Sequence, residues 1–246
     1  MNEWELIDTG CKSAQENMRL DAELLEKADA FSRPVLHLYE WEEDSATYGY
    51  FTKPADLLNL DEADKLSLQL ARRPTGGGIV FHLWDMAFSV MVPASCSEFS
   101  SNTLDNYAFV NNAVLNAVKA FLGGEAPLGL TPEDFSPWDA NCMQFCMAKP
   151  TKYDLIWEGK KIAGAAQRKT RLGFLHQGTI ALLLPPSEYL EKILLPKTQV
   201  VEAMFAHTCP LLGKSAGAEE VHRAKQRLRE LLATHLTLSS LKLASL

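Results

Sequence analysis

No stretch of this 246-residue chain approaches the ~20 consecutive apolar residues that a membrane-spanning helix requires. The longest candidate, Ile180 to Leu184, runs straight into Pro185-Pro186. A basic, apolar leader is also missing, since the start MNEWELID is acidic, and no signal peptide is predicted. Basic charge is in short supply. Lys and Arg number 24 against 31 Asp and Glu, leaving a net charge of −7, which argues against bulk nucleic-acid binding. Cysteine is sparse and odd in number: Cys11, Cys96, Cys142, Cys146 and Cys209 contain no CxxC and cannot all pair. That excludes a disulfide framework and points to a reducing, cytoplasmic compartment. The six histidines form no HExxH and no metal-ligand spacing, so no metal site is expected. Internal repeats and low-complexity segments are absent as well.

The composition itself, 47% apolar and 22% charged, is that of a soluble globular protein able to bury a sizeable core. Ser13 and Glu16 have capping-box spacing and predict a helix carrying Met18, Ala22 and Leu25 on one face. Val35–Tyr39 and Ala46–Phe51 read as strands, and Asp61–Leu70 as a helix. Asp85-Met86 reads as a turn and Ala87–Val92 as the strand returning from it. Leu104–Leu122 is a long helical pattern, and Gly123–Pro150 a long irregular loop, a length usually tied to function or mobility. Two extended runs around Glu158-Gly159 predict a hairpin, followed by a strand over Phe174–Leu184. Val221, Ala224, Leu228, Leu231 and His235 share one helix face. Strands and helices alternate without a βαβ rhythm, which favours an α+β fold, a mixed β-sheet with flanking helices.

Three constellations carry chemistry. In Arg72-Arg73-Pro74-Thr75-Gly76-Gly77-Gly78-Ile79-Val80-Phe81-His82, glycines let a loop turn tightly and aim backbone N–H groups at an anion. The two arginines suit phosphate or carboxylate. In GKKIAGAAQ, Lys161 stands beside the small residues Ala163 and Gly164, where its charge can stabilise an oxyanion or phosphate. Cys146 is a possible thioester nucleophile, with Lys149 and Lys152 close in sequence and Cys142 as a competitor. Gly213-Lys214-Ser215 imitates two motifs. It lacks the first glycine of a Walker A loop, which would stand at Thr208, and Cys209-Pro210 breaks the strand a nucleophile elbow needs. A helix N-cap region before Glu219 fits better.

With RRPTGGGIVFH and GKKIAGAAQ both present, the chain resembles the lipoate-protein ligase A family, within the wider group of lipoyl, octanoyl and biotin attachment domains. The resemblance runs from about Trp4 to about Leu184 and includes the SAQENMRLDAELL helix and the FLHQGTIALLL strand. It implies a fold like the lipoate-protein ligase and biotin ligase catalytic domains. The whole chain, 1–246, is read as one catalytic domain with a helical segment at about 215–240 and no full accessory domain. It implies attachment of lipoate or octanoate to the target lysine of lipoyl domains, in 2-oxoacid dehydrogenase complexes or the glycine-cleavage H protein. In the ligases ATP and Mg²⁺ first form lipoyl-adenylate. By that resemblance Arg73 and the Gly78-Ile79-Val80-Phe81 backbone would hold the nucleotide. Lys161 would touch the acyl carbonyl and phosphate. Gly76 and Gly77 would shape the acyl tunnel, with His82, Gly164 and the His176, Gly178 and Thr179 strand at the site. Trp41, Phe81 and Ile162 are expected in the tunnel lining. A basic rim of Lys149, Lys152, Arg168, Lys169 and Arg171 would steer the acceptor domain.

The same resemblance carries an alternative. Cysteine-type octanoyltransferases move octanoate from acyl carrier protein without ATP, and their nucleophile precedes a tyrosine by the spacing that separates Cys146 from Tyr153. The short turn at Leu83 and the segment Thr151-Lys152-Tyr153-Asp154 also depart from the ligases. The third glycine, Gly78, argues for the ligase, because the transferases carry arginine there and an open glycine leaves room for an adenylate phosphate. On that point the sequence reading favours the ATP-dependent ligase, with the Cys146 transferase as alternative. Biotin ligases, whose loop is GRGR-like, fit less well.

Overall fold

The computed structural model describes residues 4–214 and 216–243. The first strand, β1 (Glu5–Lys12), lies in the acidic start of the chain. The first helix, α1 (Ala14–Glu26), begins where the capping box places it. The Ser13 hydroxyl accepts from the Glu16 backbone N–H at 3.3 Å. β2 (Val35–Trp41) and β3 (Ser45–Tyr48) follow. The predicted helix over 61–70 is shorter, α2 (Leu60–Lys65), and Gln69–Arg72 is instead a strand, β4. Leu66, Leu68 and Leu70 alternate with polar residues at the period of a strand, and Ser67 turns the chain with φ of 55°.

The glycine loop leads into β5 (Val80–His82), and β6 (Asp85–Pro93) comes next. These two do not form the expected hairpin. β5 pairs with β3, whereas β6 pairs with β2, so the chain crosses between two sheets at Leu83-Trp84. Asp85 is therefore a buried strand residue, not part of a turn. α3 (Thr103–Phe121) matches its pattern. The loop over 123–150 is less irregular than expected. It contains β7 (Leu128–Leu130) and a 3-10 turn at Cys142–Gln144, and Phe145, Met147 and Ala148 are buried. β8 (Leu155–Trp157) and β9 (Lys160–Lys169) form the predicted hairpin, turning through Glu158 and Gly159 at φ of 50° and 77°. Both values are positive, as a two-residue hairpin turn matching strand twist requires. β10 (Gly173–Ala181) ends before Leu182.

Two short helices that the sequence reading lacks, α4 (Ser187–Ile193) and α5 (Val200–His207), precede α6 (Ala218–Leu243). Ser215, read as part of an N-cap region, lies outside the described residues. Along α6 the buried face includes Leu228, Leu232 and Leu236, while His235 is only half-buried.

The strands make a seven-stranded sheet, β1-β2-β6-β10-β9-β8-β7, and a three-stranded sheet, β4-β3-β5. Only β1–β2 and β3–β4 are parallel, so both sheets are mixed. α3 and α6 cover one face of the large sheet, burying Val110, Val114, Leu228 and Leu232 with Phe88, Val90 and Phe174. A second core joins the small sheet to α4, α5 and the Cys142–Ala148 segment through Phe81, Phe145, Leu190 and Met204. The two sheets meet at a cleft that α1 closes from one side. Among the described residues no helix is long and apolar enough to cross a membrane.

Candidate active site

Strand alternation decides which predicted residues reach this cleft. Successive side chains of β10 face opposite ways. Phe174 and Ile180 enter the α3 core, and His176 lies on that same face against Phe88 and Tyr107. Gln177 and Thr179 point into the cleft, across from Ala166 and Gly164 of β9. His176 is thus not a site residue, contrary to the sequence reading. Burial pushes its pKa down to about 3, and among the described residues its Nε2 has no hydrogen-bond partner. Below about pH 6.5 the unfolded chain binds a proton that the fold excludes. Stability from this group is therefore intact above that pH and lost as pH falls towards 3, on the order of 5 kcal/mol in full. His176→Gln is expected to flatten the acid limb of stability. Urea midpoints between pH 7 and 4 that fall as steeply as wild type would contradict this.

The cleft brings together Arg73, Val80, His82, Cys146, Lys161, Gly164, Gly178 and Thr179. Met18, Tyr39, Trp41 and Met147 supply apolar wall. Of the three expected lining residues only Trp41 is there. Phe81 belongs to the second core and Ile162 to the first. Deeper in the cleft His82 stacks on Trp41 and lies between Thr47 Oγ1 at 2.8 Å and Asp85 at 2.6 Å. Asp85 also accepts from Thr179. Burial would raise the Asp85 carboxyl, but His82 and Thr179 outweigh it and hold the group below its usual range.

Lys161 is almost fully buried. Its Nζ lies 2.7 Å from Asp154 Oδ2 and donates to the Cys146 carbonyl oxygen at 2.7 Å. Asp154 also accepts from the Thr151 N–H and hydroxyl. Burial raises its pKa, an effect that Lys161 opposes. Gly164 makes this placement possible, because a Cβ there would stand 2.3 Å from Lys161 Cε. Of the two cations expected beside Cys146, Lys152 does not occupy that place. Lys152 is exposed and its ammonium stacks on Tyr153, while Lys161 and Arg73 are the cations that reach the cysteine.

The glycine loop is closed by the chain itself. The Ile79 N–H donates to the Gln144 carbonyl at 2.6 Å, and the Cys146 N–H donates to the Ile79 carbonyl at 3.0 Å. A Cβ on Gly78 would sit 2.1 Å from the Gln144 oxygen. The space that the sequence reading left for an adenylate phosphate therefore holds the segment carrying Cys146. Arg73 is also committed. Its NH1 donates to the Thr47 carbonyl and hydroxyl, and its NH2 to the Gly76 and Gly78 carbonyls. Neither Arg73 nor the Ile79 N–H presents the free donors expected of a nucleotide phosphate site. Gly77 borders the cleft as expected, since a Cβ there would stand 3.3 Å from Arg73 Nη2 and 3.8 Å from Cys146 Sγ, whereas a Cβ on Gly76 would meet nothing within 4 Å and Ile79 is buried in the second core.

Gly78→Ala is accordingly expected to lower stability by about 1–3 kcal/mol through overpacking. It should slow any reaction at Cys146 by roughly 10²-fold, the usual result of displacing a reacting group by about an ångström. Gly129→Ala, where a Cβ meets nothing within 4 Å, is the control. Equal melting points and rates for the two variants would refute the packing argument.

Sequence reasoning missed a buried polar network behind the cleft. Asp21 of α1 lies 2.8 Å from His37 Nδ1 and accepts from Ser89 at 2.5 Å and Gln177 at 2.6 Å. The Thr75 hydroxyl donates to Gln177, tying the glycine loop to the cleft wall. Asp21 falls on the helix face of Ala14, Met18 and Leu25, and a carboxylate on an apolar face is the signal that could have found it.

This mixed sheet with flanking helices is the fold of solved lipoate ligases. The chain superposes on a crystal structure of lipoate-protein ligase A bound with ATP at a TM-score of 0.65. It is 23% identical to that chain over 94% of its own length and 85% of that chain's. For a structure from the archaeal lipoylation system of Thermoplasma acidophilum, a bipartite lipoate protein ligase and its E2 lipoyl domain, the values are 0.64, 21%, 94% and 84%. The lipoyl protein ligase A/B catalytic domain model matches residues 13–236, and the chain belongs to that family. Among its relatives, octanoyltransferase LipM of Lysinibacillus sphaericus is 32% identical over 77% of this chain and 70% of the relative. The same-named protein of Bacillus subtilis is 29% identical over 82% and 73%. These relatives correct the expectation of an ATP-dependent ligase, because proteins about 30% identical bear the transferase name. The protein is an enzyme of the lipoate ligase and octanoyltransferase family.

Proposed function

We propose that this protein transfers an octanoyl group from a thioester donor to the target lysine of a lipoyl domain through a thioester on Cys146, without ATP. The observation that carries this reading is the position of Cys146. It forms part of the cleft wall, its carbonyl is held by Lys161, and its segment fills the place beside Gly78. The transferase names of the relatives support it independently. In the first step the Cys146 sulfur attacks the donor carbonyl carbon. The new C–S bond forms, the donor C–S bond breaks, and the donor thiol leaves with the proton that Cys146 gives up. In the second step the unprotonated amine of the acceptor lysine attacks the Cys146 thioester. An amide forms, and the sulfur recovers a proton from the amine.

The chain's own residues serve both steps. Lys161, held by Asp154 and the Cys146 carbonyl, keeps one N–H to donate where the carbonyl oxygen gains negative charge, and such a prearranged donor in a buried site stabilises an oxyanion. Met18, Tyr39, Trp41 and Met147 take the acyl chain, at roughly 0.8 kcal/mol for each buried CH₂. The acceptor is a lipoyl domain or glycine-cleavage H protein, and the donor an acyl carrier protein. The test omits nucleotide. Purified protein is mixed with octanoyl-acyl carrier protein and read by intact mass and peptide mapping. One octanoyl group on Cys146, passed on when a lipoyl domain is added, is the expected result. Transfer that needs ATP and leaves no acyl group on Cys146 would overturn the reading.

A further inference from the structure

Beside the reaction cleft runs an open groove of about 970 Å³ that shares Met18 and Arg73 with it. Its rim is cationic, although the chain carries a net charge of −7. The half-exposed Tyr50 ring is flanked by two guanidiniums, Arg72 at 4.7 Å and Arg168 at 5.6 Å from its centroid. They come from different sheets, Arg72 from β4 and Arg168 from β9. Arg168 is further fixed by a 3.2 Å bond from its NH1 to the Pro74 carbonyl. Both guanidiniums reach solvent. Among the described residues neither pairs with a carboxylate, whereas Arg19 on the same groove is bonded to Glu23. Glu26 is the one acidic side chain lining the groove. Two arginines without a carboxylate partner beside one ring give this stretch of the groove a positive face for an anion, and planar guanidinium suits phosphate oxygens.

The chemistry of this pair assigns it to one substrate. Both acyl donor and acceptor must reach Cys146, but only the donor brings a phosphate for guanidiniums to bind, so Arg168, expected in the acceptor-steering rim, is assigned with Arg72 to the donor. A thioester donor carried on a phosphopantetheine-type arm brings a phosphate, separated from its sulfur by the length of the arm. We propose that the Arg72–Tyr50–Arg168 cluster is a phosphate subsite for the acyl donor, holding the phosphate ester of such an arm while its thioester enters the cleft. This rests on the transferase reading and adds the chemical class by which the donor is recognised.

The experiment compares four donors: octanoyl-pantetheine, octanoyl-phosphopantetheine, octanoyl-coenzyme A and octanoyl-acyl carrier protein. The rate of Cys146 acylation is read for wild type and for R72Q/R168Q. Wild type is expected to prefer octanoyl-phosphopantetheine over the phosphate-free donor, and the double variant to lose that preference by about tenfold, the scale of a charge-assisted hydrogen bond. A comparable loss with the coenzyme A and carrier-protein donors shows the same phosphate being read from either source. An unchanged ratio between octanoyl-phosphopantetheine and octanoyl-pantetheine overturns the subsite, as does a loss confined to the carrier protein, which would locate the effect on its protein surface. Failure of wild type to acylate Cys146 with any donor would instead overturn the transferase reading.

Discussion

Cys146→Ser is expected to abolish the acyl-enzyme and to reduce octanoyl transfer by on the order of 10³-fold or more. A serine hydroxyl at the same place is a far weaker nucleophile, and nothing in the cleft is arranged to take its proton. Loss of a covalent nucleophile costs this much or more where the remaining site still binds substrate. Besides the Arg73 guanidinium, Lys161 and His82 are the basic side chains lining the cleft. Lys161 is tied to Asp154 and the Cys146 carbonyl, and His82 to Thr47 and Asp85. Cys142 supplies the contrast. It is fully buried, and burial, aided by Asp139, pushes its thiol up to about 11. Cys142→Ala should therefore still acquire one octanoyl group, read by intact mass. An acyl group that persists in Cys146→Ser and disappears in Cys142→Ala would exchange the roles of the two cysteines.

The parts of this fold that were legible are those written in local sequence. The Ser13 capping box, the turn at Glu158-Gly159 and the period of α3 each depend on residues within a few positions of one another. β1 was not legible, because the half-exposed edge strand Glu5–Lys12 (ELIDTGCK) has no apolar alternation to mark it. The crossing at Leu83-Trp84 was hidden too: two short apolar runs joined by a tight turn look like a hairpin whether or not they pair.

For the site, the glycine loop and Lys161 stood out as residue types, but their roles depend on distant partners. Gly78 invited a ligand-binding reading until the Gln144 carbonyl was found against it. His176 and Thr179 looked equivalent in one strand, and the two-residue period of β10 sends them to opposite faces. Asp154, the partner that neutralises Lys161, lies across the hairpin and is invisible to motif spacing alone.

That pairing makes Lys161→Ala the most informative second substitution, because it separates chemistry from folding. Removing the ammonium takes away the charge beside the reacting carbonyl, and a loss of roughly 10²–10³-fold in transfer is expected. It also leaves the Asp154 carboxylate buried and unpaired, at a cost of about 3–5 kcal/mol. Burial already raises Asp154, and Lys161 is the first influence opposing that rise, so the variant shifts it further upward. A carboxyl raised in the fold keeps a proton that the unfolded chain releases above about pH 4. Stability of Lys161→Ala should therefore be greatest in acid and fall as pH rises through the raised value, more steeply than in wild type. Adding Asp154→Asn removes the buried charge while keeping an amide that can still bond to Thr151. The double variant is expected to regain melting temperature and lose its extra pH dependence, yet remain inactive. Recovery of transfer along with stability would mean that Lys161 serves only to neutralise Asp154, and that the carbonyl is polarised by some other group in the cleft.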